Sequence, residues 1–303
     1  MGAPEADAPG PVVAPLAVEG RELPDRDAAG PHTAGRGREP ALVVGGLLAG
    51  VLVLFLALPV IALVARAVLG GAFGAVVGEQ VLLDALVLSF VTTLVSLVLA
   101  VVLGTPLAFL LARRRFRGAS LVETLVDLPI VLPPSVAGLA LLLLLGRRGV
   151  LGGPLDVLGI SIPFTTLAVI LAQTFVATPF YVRSVRSGFL SINRDLEDAA
   201  RVDGAGEWAV VQRITIPLAR PAIAAGLVLA WARALGEFGA TIMFAGNVEG
   251  RTQTLPLLVY SEFQSSLDAS VAAATILVLA AAGVLLGVRL IHWRTVFDLQ
   301  TVG

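Results

Sequence analysis

The chain has 303 residues, 57% hydrophobic and only 14% charged, whereas an ordinary soluble domain carries about a quarter of its residues as charges. A formal net charge of −1 gives no electrostatic basis for holding nucleic acid, so none is expected as a partner. Having no cysteine excludes disulfides, thiol catalysis and cysteine metal sites, and two histidines at opposite ends, His32 and His292, argue against a histidine-built one.

Residues 1–40 are rich in Ala, Pro and Gly and lack apolar periodicity, which predicts a disordered tail. No continuous apolar core lies near its start, so it does not read as a secretory signal. Six runs then approach or exceed the roughly 20 apolar residues that cross a bilayer core: Ala41–Val68, Ala85–Leu111, Leu121–Leu145, Thr165–Phe189, Pro221–Ala245 and Ser270–Ile291. Solid runs of this length predict an all-α integral membrane protein, because a helix satisfies its own backbone hydrogen bonds in lipid. The membrane domain is expected over 41–295, with a short C-terminal tail at 296–303.

Arginine placement sets the orientation. Arg113, Arg114, Arg115 and Arg117 follow the second run, and Arg183, Arg186, Arg194, Arg201, Arg213 and Arg220 surround the loop after the fourth. Arg36 and Arg38 precede the first run, while Arg289 and Arg294 flank the end of the sixth. The opposite loops carry only Arg147, Arg148 and Arg251, with Arg66 at a helix end. Both termini and the loop at 191–220 are therefore expected in the cytoplasm. The three outer arginines read either as solvated loop charges or as contacts for an anion or a partner protein.

That loop is polar between two apolar runs. Asn193 or Asp195 can cap a helix through Leu196, Glu197, Asp198, Ala199 and Ala200, with acids at its positive end. Gly204 stands where a left-handed C-terminal residue is required. A second short helix is predicted over Glu207–Arg213, presenting Trp208, and Pro217 is expected to stop it from running into the next span.

Among residues inside the spans, Arg233 and Glu237 are four apart and would share a helix face. Charges there cost about 2.5–3.5 kcal/mol each on insertion scales and face the bundle interior or water. They fix packing as an ion pair or line a pathway; the sequence leaves both open. Pro133 and Pro134 must interrupt the third span, as a pore-lining bend or a packing kink, and Gln173, Thr178 and Pro179 in the fourth admit the same two readings. No nucleophile and base cluster at one membrane face, as a membrane-embedded transferase would need, and a passive channel would not need the Gly204 loop.

Asp198-Ala199-Ala200, three residues, Gly204, nine residues, then Ile214-x-Ile216-Pro217 closely resembles the coupling-loop signature of ABC importer permeases. Asp198 and Ile216 replace the usual Glu and Leu. Ala232–Thr241, Phe244–Asn247, Gly250–Pro256 and Leu128–Gly138 resemble the molybdate and sulfate branch, and the molybdate members more closely. The resemblance spans roughly residues 45–295. It implies a six-helix permease of the bacterial inner membrane, importing molybdate or tungstate, with sulfate or thiosulfate as the alternative. It further implies a coupling helix at Leu196–Ala200 with Gly204, Ile214 and Pro217, docked on a separate ATPase subunit that carries ATP and Mg. The chain has no G-x-x-x-x-G-K-[ST] phosphate loop and so is not expected to be an enzyme or to bind a cofactor or metal itself. An extracytoplasmic oxyanion-binding protein, a second permease copy and membrane lipid are the other partners implied.

Overall fold

The computed structural model describes residues 39–75, 80–114 and 116–300, with side chains described over 42–74, 80–114 and 116–287. Arg36, Arg38, Arg115 and His32, most of the expected N-terminal tail, and the side chains of Arg289, His292 and Arg294 lie outside that description. Among the described residues, twelve α-helices with one 3-10 turn and one π turn account for most positions.

The chain divides into two compact units between Ala57 and Leu58, inside helix α1, Glu39–Leu69. In the first, the side chains of residues 42–56 are exposed around the whole circumference. An all-round apolar helix with no polar face is suited to lipid rather than to water.

The second unit begins with the end of α1, whose Leu63 and Ala67 pack on Leu82 and Ala85 of α2, Gln80–Arg113, and on Ala269–Ala273. Next comes the expected third span, Leu121–Leu145, which is not one straight helix. It is two, α3 at Ala119–Val131 and α4 at Pro134–Leu145, bent by 118°. Leu132 and Pro133 are both extended at the corner: a residue before proline is pushed out of the helical region, and two successive prolines repeat the effect. Among the described residues, five helices are thus long and apolar enough to cross a membrane, and six when the bent pair counts as one span.

A short α5, Gly152–Val157, leads to α6, Thr166–Ser191, which lies centrally between α2 and the later span. Small residues let the backbones approach, as membrane helix packing requires: Tyr181 and Val182 lie over Gly104, and Gly188 lies against Ala222. Gln173, buried at 1% exposure, accepts from Ser96 Oγ at 3.2 Å and donates to Thr93 Oγ1 at 3.4 Å. It therefore fastens α6 to α2 rather than lining open space.

The loop at 191–220 holds α7, Arg194–Val202, and the short α8, Glu207–Val210. Pro217 does not stop the helical path. Residues 207–235 run on continuously through a π turn, Val211–Thr215, into α9, Ile216–Leu235. The wider turn, in which Ile216 N–H bonds Val211 O, absorbs the proline that an unbroken i→i−4 ladder would reject. The fifth span accordingly ends at Leu235 rather than Ala245, and a separate turn, α10 at Gly239–Phe244, comes after the break. Two further helices, α11 at Leu255–Ser265 and α12 at Leu267–Gln300, complete the described chain. Neither α5 nor α11 was expected, since both are short and sit among Gly, Pro and polar residues.

Candidate functional site

Helix α7 is built from local rules. Asn193 is its cap, its side chain accepting from Asp195 N–H at 3.1 Å. At the other end Gly204 has φ +90°, as expected, and a pair of bonds closes the helix: Gly204 N–H to Arg201 O at 3.0 Å and Ala205 N–H to Ala200 O at 2.9 Å. That pattern is a Schellman motif, and the left-handed residue it needs is glycine for steric reasons. Arg201 then bridges the turn, bonding Asp198 at 2.7 Å and Glu207 at 2.9 Å. The guanidinium holds the Glu207 carboxyl below its ordinary value, and Glu207 in turn raises Arg201.

One face of α7 points inward. Glu197 is 3% exposed, and its Oε1 accepts from Arg113 Nη2 at 2.7 Å and from Thr215 Oγ1 at 2.8 Å. Arg113 ends α2 and Thr215 lies in the π turn that starts the fifth span. Arg194 adds a bond to Ala112 O at 3.3 Å. The opposite face is bare: Leu196 and Val202 are 51% and 87% exposed, Ala199 is exposed between them, and Trp208 on α8 is 69% exposed.

The eight loop residues singled out by sequence thus divide. Leu196, Asp198, Ala199 and Gly204 lie outward, Ala200 is half-buried, and Ile214 and Pro217 are half-buried in and after the π turn. Glu197 is a strut and cannot touch a docked partner. Its two anchors, Arg113 and Thr215, were missed. The cluster of arginines around Arg113 reads as an orientation signal, and nothing local links it to a residue 84 positions away.

The second group of singled-out residues also comes together. Arg233 Nη1 lies 2.6 Å from Glu237 Oε2, so the two side chains pair, as one of the two readings of the sequence has it. The reason differs: α9 ends at Leu235, and Glu237 sits in the break, its Oε1 accepting from Ala240 N–H at 2.7 Å. Beside it is the other break, at Pro133 and Pro134. A Cβ on Gly239 would come within 2.8 Å of Pro134 Cβ, and one on Gly138 within 2.5 Å of Ala240 O. Two interrupted helices therefore cross where only glycine fits.

The family described as "Binding-protein-dependent transport system inner membrane component" matches residues 104–293, which include both the α7 loop and the crossing breaks. The chain belongs to this family. The probable transport system permease protein NifC of Clostridium pasteurianum is 45% identical over 142 residues, 47% of this chain and 50% of its own length. The molybdenum transport system permease protein ModB of Mycobacterium tuberculosis is 47% identical over 140 residues, 46% of this chain and 53% of its own. The aligned part is about half the length of these curated relatives. Among solved structures, a bacterial ABC transporter involved in import of the acidic polysaccharide alginate superposes with a TM-score of 0.69 at 20% identity. That match covers 85% of this chain and 96% of the other, and it establishes the permease fold.

Proposed function

We propose that this chain is the membrane-spanning permease subunit of an ATP-driven importer of molybdate, with tungstate as a close analogue. Family membership and the names of its similar relatives, molybdenum transport permeases among them, support the reading. The observation that carries the mechanism is the two-faced helix α7, held from within by Glu197 and exposing Leu196, Ala199 and Val202 outward. A partner ATPase subunit, which holds the ATP and Mg, docks on Leu196, Ala199 and Val202. When two such subunits close, α7 moves with them. The Arg113–Glu197–Thr215 link then passes the displacement to α2 and to the fifth span together. Inverting a two-state equilibrium from 1:99 to 99:1 takes about 5.5 kcal/mol of differential binding, within reach of a helix seated in a groove.

One coupling helix per chain serves one ATPase subunit, so two copies of this chain form the pathway. Both termini and α7 face the cytoplasm of a bacterial cell, in keeping with the arginine distribution. An extracytoplasmic oxyanion-binding protein delivers the substrate to the other side. The test is reconstitution with that binding protein and the ATPase in liposomes. ATP-dependent uptake of molybdate is expected; uptake of sulfate in its place would move the chain to the sulfate branch, and no uptake of either would reject the assignment.

A further inference from the structure

At the end of the bundle opposite α7, a cavity of about 520 Å³ is lined by Leu142, Arg147, Ser161, Phe164, Thr165 and Arg251. Its two arginines come from segments distant in sequence, one after α4 and one after α10. Among the described residues seven ion pairs form, and neither Arg147 nor Arg251 belongs to any of them. Thr165 caps the 26-residue helix α6, so the positive end of that helix lies in the same wall.

The wall between these charges is strained. Phe164 has φ +61°, the one non-glycine residue with positive φ among those described. A bulky side chain is disfavoured in that region, and such strain concentrates at active sites, ligand clamps and switch regions. It is held there from the α10 side: Phe164 N–H points at Phe244 O at 3.4 Å, and Gly246, itself at φ +71°, leaves room for the ring. A Cβ on Gly246 would come within 3.0 Å of Phe164 Cδ1. Thr166 Oγ1 donates to Arg251 O at 2.9 Å and fastens the Arg251 segment to the start of α6, beside Thr165 in the cavity wall.

We propose that this cavity is a receiving site for a tetrahedral oxyanion, bound by Arg147 and Arg251 with the Ser161 hydroxyl, after its release by the binding protein and before passage through the bundle. Paired guanidiniums present planar forks that match oxyanion geometry. Phe164 supplies a rigid apolar wall that limits the site to a small anion. The inference rests on the importer reading and adds to it a specific stop on the path.

Two measurements test it. In nanodiscs holding the full complex, phenylglyoxal modification mapped by mass spectrometry should slow at Arg147 and Arg251 when sodium molybdate is added. Arg148, which does not line the cavity, serves as the internal control and should react as before. Absence of protection at the two arginines, or equal protection of Arg148, overturns the site. In liposomes, R147Q/R251Q should lower the maximal uptake rate about tenfold, the loss of charge-assisted bonds to one anion, with docking of the loaded binding protein unchanged and R148Q normal. Weakened docking at full maximal rate would instead make these arginines contacts for the binding protein, and would overturn the proposal. If the wild-type complex imports no molybdate while sulfate protects the two arginines, the importer's substrate is wrong and the anion site stands.

Discussion

Arg113 and Glu197 form an ion pair of 2.7 Å whose side chains are only 8% and 4% exposed, joining the end of one membrane helix to helix α7 in the loop at 191–220. Thr215 Oγ1 donates to the same carboxylate oxygen at 2.8 Å. One buried charge thus ties α7 to two spans. Removing one member of a buried pair costs about 3–5 kcal/mol, since the other charge is left without compensation. Glu197→Ala should therefore lower the unfolding temperature of the detergent-purified protein and reduce coupled uptake more than Asp198→Ala, whose carboxylate is exposed. Equal effects of the two in a side-by-side melting and uptake series would remove the strut.

Gly204 can be tested by conformation alone. An added Cβ there meets no atom within 4 Å, so space is not the constraint; φ +90° is. A left-handed backbone costs an ordinary residue about 1–2 kcal/mol, less for Asn. Gly204→Val should abolish co-purification with the ATPase while membrane insertion persists, and Gly204→Asn should keep most of it. Normal association and transport by the valine variant would mean that the turn is not needed.

The outer face of α7 predicts the reverse pattern. Leu196→Asp with Val202→Asp places charge on residues that are 51% and 87% exposed, so folding should be nearly unaffected, as surface changes usually stay within about 0.5 kcal/mol. ATPase binding should fall by at least tenfold in a pull-down titration.

The Arg201–Glu207 clasp over the glycine turn gives a pH dependence. Glu207 is held below its ordinary value of 4.5 by Arg201. A lowered carboxyl contributes above its unfolded value and loses that contribution as pH falls through the lower folded one. Amide exchange at residues 203–206, corrected for intrinsic rate, should therefore rise only as pH falls below the ordinary carboxyl value of Glu207. Glu207→Gln should show the raised exchange already at neutral pH.

At the crossing of the two broken helices, Gly138→Ala and Gly239→Ala each force a methyl into backbone or proline ring. Overpacking of this kind costs about 1–3 kcal/mol. Both variants should melt earlier than Gly236→Ala, whose Cβ would meet only Ala232 O at 3.5 Å.

Much of this was legible in the sequence for a physical reason. Apolar length, the Asn193 cap and the Gly204 turn depend on residues near one another along the chain, and each appears where local chemistry puts it. The prolines at 133 and 134 marked the break but not its 118° angle, which depends on what α4 packs against. Pro217 misled because a π turn can carry a proline that an α-helix cannot. The Arg233–Glu237 spacing gave the right pair through a helix that has already ended. Arg113 as partner of Glu197, and Phe164 as a strained wall, carry no local signature: each is set by tertiary contacts alone.

The most direct test of the coupling role uses the absence of cysteine from the chain. A single Ala199→Cys, placed on the bare face of α7, should cross-link to the ATPase subunit and resist impermeant thiol reagents applied from outside intact cells. Labelling from outside, or no cross-link in a complex that still hydrolyses ATP, would contradict the account.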